Sequence, residues 1–257
     1  MRLNWTRHML GSLVWAAALV SGTAQAGLEC SAPGKALADA DLQFSLTHSQ
    51  VPGQLAVSQH SLRVAGNHYT LESVSQAKGL MALMFSGQLT QKSEGLVDPK
   101  LGFVPLYYAE KRGKKPLVES VVNETQKEVQ FKKNNTAAPL EKGLQDRLSM
   151  IYQMAAQLRC GAPAKTGDEI KLRVIGTGRV STEWFVLKGT EDVVVNLGDR
   201  EQTVNALKFE SKPEDAGDDI VRVWYGKQVG WQPVRIQIQD ADGKSLTQTL
   251  TGVGNKP

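Results

Sequence analysis

Apolar and polar residues alternate along most of this chain. From His68 to Val74, Tyr69, Leu71 and Ser73 fall on one side, and Thr70, Glu72 and Val74 on the other. That is the pattern of a half-buried strand. Leu80 to Phe85, Phe103 to Ala109, and the pair Leu117 to Val122 and Glu128 to Lys132 also read as strands. Further on come Ile170 to Ile175, Val180 to Leu187, Asp192 to Leu197, Thr203 to Glu210, Ile220 to Tyr225, Pro233 to Gln239 and Ser245 to Thr251. All are short and bounded by Gly, Pro, Asn or charged turns, as antiparallel strands are. Val234, Ile236 and Ile238 oppose Arg235, Gln237 and Gln239, which sets one face on a core and one in water. Asp240-Ala241-Asp242-Gly243 predicts a hairpin turn. Gly252 to Pro257 reads as a frayed tail.

One segment departs from this period. Leu144, Leu148, Ile151, Tyr152, Ala155 and Leu158 are spaced by 4, 3, 1, 3 and 3 residues, a helical stripe. Pro139 precedes it, and Gly161 and Pro163 end it. The spacing predicts one helix near 144–158, with Lys132 to Lys142 as the loop leading in. Strands and helices do not alternate, which argues against a doubly wound parallel sheet. The predicted fold is mainly β: one large curved antiparallel sheet, an open or partly closed barrel, with a single helix inserted mid-chain.

The N-terminus adds a compartment. Arg2, Arg7 and His8 precede an apolar stretch from Leu10 to Val20, and Ala24-Gln25-Ala26 follows. Basic region, short apolar core and small-residue site make 1–26 a cleaved secretory signal. The apolar core is short for a permanent anchor. Glu29 stands before Cys30, where a lipoprotein signal needs a small residue. The mature chain is then a single β-rich domain, 27–257, in the periplasm, with no transmembrane anchor after cleavage.

With 41% hydrophobic and 22% charged residues among 257, the composition is that of a globular protein. It excludes collagen-like, disulfide-scaffold and wholly disordered chains. Losing Arg2 and Arg7 takes the formal charge from +4 to +2, which gives no ground for nucleic acid as a partner. Cys30 and Cys160 are the only cysteines. In an oxidising compartment they read as one disulfide, against the alternative of two free thiols. Closing so long a loop stabilises by about 4–5 kcal/mol at most.

Several stretches add up to a pattern. Tyr69-Thr70-Leu71, Gly79-Leu80, Ser93-Glu94-Gly95-Leu96-Val97-Asp98-Pro99 and Lys111-Arg112 come first. Gln145-Asp146, Leu148-Ser149, Ile151-Tyr152, Trp184-Phe185, Gly189-Thr190-Glu191, Val223-Trp224-Tyr225, Pro233-Val234-Arg235-Ile236 and Asp242-Gly243 follow. In this order they resemble an uncharacterised periplasmic family of Gram-negative bacteria, described only as a domain of unknown function. The resemblance covers about Phe44 to Leu250. It implies an exported β-rich protein, and it transfers no catalytic residue and no cofactor.

Candidate chemistry is sparse. His48, His60 and His68 lack acidic neighbours at ligand spacing, and a zinc site needs three or four converging ligands. Asp240 and Asp242 lack the distal Glu of a calcium loop. Ser149 and Asp146 have no nearby histidine, and no nucleophile elbow is present; their plainer role is at the helix start, where Asp146 suits the dipole. Glu191, beside a Gly turn, reads as a hydrogen-bonding corner. Lys111-Arg112-Gly113-Lys114-Lys115 reads as a solvated hairpin tip, or as a contact for anionic headgroups. The aromatic set Tyr107, Tyr108, Tyr152, Trp184, Phe185, Trp224, Tyr225 and Trp231 is either plain core or the lining of an apolar cavity. The expected function is a non-enzymatic periplasmic binding protein. It would hold a hydrophobic or amphipathic ligand, a lipid or acyl chain, on the concave face of the sheet, lined by Trp184, Trp224 and Tyr152. The alternative is a cell-envelope scaffold or adaptor docking a protein partner by strand addition.

Overall fold

Alternating strands joined by short turns have one economical solution, a meander in which each strand pairs with the next. The structure is a computed structural model and describes residues 30–79, 82, 87–161, 163–213, 215 and 217–254. The signal at 1–26 and most of the apolar run Leu80 to Phe85 lie outside the described residues. The first half supplies β1 (Ala40–His48), β2 (Val51–Ala65), β3 (His68–Ala77), β4 (Gln88–Asp98), β5 (Gly102–Arg112), β6 (Val118–Asn123), β7 (Glu128–Phe131) and β8 (Thr136–Pro139). A two-residue β9 (Gln145–Asp146) leads into helix α1 (Ser149–Cys160). Then follow β10 (Glu169–Ile175), β11 (Val180–Leu197), β12 (Arg200–Ser211), β13 (Ile220–Gly226), β14 (Gln232–Gln239) and β15 (Ser245–Gly254).

These make one 15-stranded sheet in the order β8-β7-β6-β5-β4-β3-β2-β1-β15-β14-β13-β12-β11-β10-β9. Every pairing is antiparallel except β9 with β10. The sheet is strongly curved and not closed by a ladder. Instead its two ends overlap. Val129 and Phe131 of β7 share a small apolar core with Leu144 and Ile175. Ser120 Oγ donates to Gly176 O at 2.8 Å, and Asn134 Nδ2 to Gly178 O at 3.0 Å. The long β11–β12 hairpin also bends back, and Gly198 N donates to Thr251 O at 3.3 Å.

The structure adjusts several expectations. The helix starts at Ser149, not Leu144, because Gln145 and Asp146 pair with Val174 and Ile175 first. Lys132 to Lys142 is not all loop, since Thr136–Pro139 pairs with β7. Val180 to Leu187 and Asp192 to Leu197 are one strand, carried past Gly189 by a bulge. Gly252 to Gly254 belongs to β15 and pairs with β1. The Asp240 turn forms as expected, with Gly243 at φ 81°.

Cys30 and Cys160 are joined, with Cα atoms 5.6 Å apart. The bond ties the N-terminal arm to the last residue of α1, and Arg159 reinforces it by donating to Ala36 O at 3.1 Å. Replacing both cysteines with Ala lowers unfolding stability by up to about 5 kcal/mol while the β-rich far-UV spectrum survives at low temperature. Thermal scans with thiol labelling of denatured, unreduced protein check this; two reactive thiols in the exported protein would refute it.

Candidate functional site

The helix is buried on nearly every side, as a helix enclosed by other elements is. Ser149 to Ala156 and Leu158 are all buried. It lies in the hollow of the curved sheet and touches it on several sides. Tyr152 Oη lies 2.8 Å from His60 Nδ1 on β2. Tyr225 Oη on β13 donates to Ile151 O at 2.8 Å. Gln153 accepts from Phe103 N at 3.0 Å and donates to Leu101 O at 2.9 Å, so it reads the backbone at the start of β5. Gly102 between them takes φ 83°, and a side chain there would collide with the Gln153 carboxamide. The concave face is therefore filled by the chain's own helix.

Two buried titratable groups flank this helix. Asp146 Oδ1 accepts from Leu148 N at 2.9 Å and Ser149 N at 2.8 Å, capping the first turn. Ser93 on β4 donates to Asp146 Oδ2. Having spent its proton there, Ser93 accepts from Tyr69 Oη at 2.8 Å. No cation pairs with this carboxylate among the described residues, and burial pushes it up to about 6. His60 is held neutral by burial, which lowers it to about 4. Its Nε2 and Gln248 Oε1 are both buried, and neither meets ordinary hydrogen-bond geometry. Ser149 Oγ accepts from Asp146 N at 2.8 Å, so the pair forms a helix entry.

The expected lining residues are not brought together. Tyr152 sits at the core. Trp184 is only half-buried, beside the fully buried Phe185, whereas Trp224 is itself buried and counts with Tyr225 in the main core. Trp184 is flanked by its cross-strand partner Lys171 at 5.4 Å and by Lys212 at 4.4 Å. Trp224 lies between its partners Lys208 at 5.1 Å and Arg235 at 5.6 Å. Each ring is thus flanked by cations. Glu191 pairs with Lys208 at 3.0 Å there. Among the histidines, His48 Nδ1 accepts from Gln50 N at 3.2 Å in the first hairpin.

Trp231 is the aromatic residue that stands apart. It follows a 3-10 turn, Lys227–Val229, and takes φ 59°, a left-handed conformation costly for a large side chain. Its N donates to Gly226 O at 2.8 Å, and Arg159 Nε donates to Gly230 O at 2.8 Å. Trp231 and Leu207 wall an open cleft of about 370 Å³ at this mouth of the sheet, rimmed by Thr190, Asn205, Lys227 and Gln228. The cleft is mainly apolar, with a polar edge. Nothing in the sequence singled out Trp231 from the other aromatics, because its signal is a backbone angle.

The two buried groups act on stability in opposite directions. Asp146, raised above its unfolded value, contributes stability that is full below about pH 4 and lost as pH rises through about 6. His60, lowered, contributes stability present above about 6.5 and lost as pH falls through about 4. Each spans about 3 kcal/mol at most. In Asp146→Asn the His60 arm is exposed, and stability climbs between pH 4 and 6.5. In His60→Gln stability declines over pH 4 to 6. Urea unfolding across pH reads both slopes; parallel profiles for wild type and the two variants would refute the assignment.

A model of the family described as "Protein of unknown function (DUF3108)" matches residues 48–251. No curated protein matches the chain. A β-barrel-like protein of the domain of unknown function DUF1849, from Brucella abortus, superposes with a TM-score of 0.54 at 10% identity, covering 86% of this chain and 99% of that one. A protein assigned as a lipoprotein, from Parabacteroides distasonis, gives a TM-score of 0.33 at 8% identity over 88% of this chain and 100% of its own. A domain assigned as an outer membrane lipoprotein-sorting protein domain, from Vibrio parahaemolyticus, gives 0.23 at 10% over 84% and 83%. These last two overlays are too loose to bear on the fold. The Brucella protein supports a barrel-like fold, and the match across four-fifths of the sequence settles kinship: the chain belongs to the DUF3108 family.

Proposed function

We propose that the chain is a non-enzymatic binding protein of the periplasm that takes a hydrophobic or amphipathic ligand, a lipid or acyl chain. The ligand seat is the mouth cleft, because α1 already occupies the concave face. One observation carries this reading: an indole held in a costly backbone conformation on the wall of an apolar cleft. The volume of about 370 Å³ suits an acyl segment rather than a whole phospholipid. Leu207 and Trp231 would cover the chain, and burial there is worth roughly 25 cal/mol per Å². Lys227 on the rim would meet an anionic headgroup. The periplasmic location rests on the signal read at 1–26.

Native mass spectrometry after gentle purification, with titration of a fluorescent fatty acid, tests the reading. Wild type takes up the probe. Trp231→Ala weakens uptake at least tenfold, a loss of about 1.4 kcal/mol. Trp184→Phe and Trp224→Phe, at residues that do not line the cleft, leave it within twofold. Failure of wild type to bind any apolar probe would end the proposal, as would unchanged uptake by Trp231→Ala.

A further inference from the structure

We infer that the β5–β6 tip, with Lys111, Lys114, Lys115 and Leu117, is a docking surface for an anionic phospholipid bilayer. The sequence places five residues, Lys111-Arg112-Gly113-Lys114-Lys115, at the end of β5, followed by Pro116 and Leu117. The turn is tight: Lys115 N donates to Arg112 O at 3.0 Å, and Gly113 takes φ 54°. Arg112 is held by Glu110 at 2.5 Å. Lys111, Lys114 and Lys115 form no ion pair among the described residues, and all three are exposed. Several basic side chains elsewhere on this sheet do have a carboxylate partner, among them Lys92, Lys188, Lys208, Lys212 and Arg222. Three uncompensated cations on one turn are an electrostatic feature that folding does not require.

The tip also carries apolar surface. Leu117 is 50% exposed, among the most exposed large hydrophobic residues described. The tip packs backbone on backbone against Gly87 and Gln88 at the start of β4. Gly113 N donates to Gln88 O at 2.8 Å, and a side chain at Gly87 would strike Gly113 Cα at 2.8 Å. Lysines that lack carboxylates, beside an exposed leucine, match a surface that is both anionic and apolar beneath. A bilayer is such a surface, and an acidic protein offers only the first property. The tip is also well placed for it. β5 runs 11 residues, about 35 Å, from the turn against which Gly34 of the N-terminal arm packs. Arg159 joins that arm to Gly230 beside the ligand cleft. The tip and the cleft therefore lie at opposite ends of the molecule, and the two proposals stand separately.

Vesicle co-sedimentation of the purified mature chain tests the surface, using phosphatidylcholine with one-third phosphatidylglycerol against phosphatidylcholine alone. Each basic residue near an anionic leaflet contributes about a fivefold factor in partitioning. Wild type binds the anionic vesicles at low salt and is released at high salt. The triple substitution Lys111→Glu, Lys114→Glu, Lys115→Glu lowers partitioning on the order of a hundredfold, while fatty-acid uptake and the far-UV spectrum stay unchanged. The milder triple Lys→Gln version moves the same way and covers the case in which charge reversal disturbs folding. Leu117→Ser weakens binding without changing its salt dependence. Absence of any preference for phosphatidylglycerol would overturn the inference, as would anionic-vesicle binding that survives both triple substitutions. Tighter capture of polyglutamate than of vesicles would overturn it too, in favour of an acidic protein partner.

Discussion

The curved sheet depends on a seam that backbone pairing cannot close. β8 and β9 end the sheet, and the strands beside them must meet without a ladder. Side chains make the join. Gln145 donates to Phe103 O at 2.9 Å, Asp146 accepts from Ser93, and Ser120 and Asn134 reach carbonyls beyond β10. All but the exposed Asn134 bond satisfy groups that would otherwise be buried alone, at a cost of about 1–3 kcal/mol each. Between them Val129, Phe131, Leu144 and Ile175 exclude water. The join therefore combines a polar clasp with an apolar gasket, and α1 begins directly from it.

That origin explains why Asp146 is tolerated without a cation. Its carboxylate accepts from two helix amides and from a hydroxyl, and the positive end of the helix dipole lies over it. These interactions resist the desolvation that drives its proton affinity up, but only in part. His60, midway along the helix, has the opposite problem and solves it by staying neutral toward Tyr152. A helix in a barrel-like hollow thus carries polar contacts at its start, middle and end. Together they fix its rotation, which apolar packing against Met154 or Ala155 leaves less well defined.

Much of this fold was legible from alternation. The strands from Ile170 onward follow the predicted order, and the helix was marked by its stripe. β1 is also readable, since Leu42, Phe44 and Leu46 alternate. β2 and β4 were harder. Their inward positions include Ser58, His60 and Ser93, which are buried because they bond to Ser73, Tyr152 and Asp146. Binary patterning reads such residues as exposed. The site was less legible for a different reason. In Val180 to Leu187 both faces carry large apolar groups, so parity cannot say which is inside. The answer lies in cross-strand lysines that cover Trp184, and register is a long-range property.

The same clasp limits where a ligand can go. To open the concave face, α1 would have to leave Gln153's contacts with β5, Tyr225's bond to Ile151 O and Asp146's bond to β4. It would remain tethered through Cys160 to Cys30. Those buried polar contacts would be lost together, at about 1–3 kcal/mol each, a cost that binding at the rim avoids. The helix is better regarded as a permanent wall. Its C-terminal end, through Arg159 and Gly230, props the loop that holds Trp231 in its left-handed conformation. A rigid interior thus supports a strained residue at the rim, and the binding proposed there would leave the core unchanged.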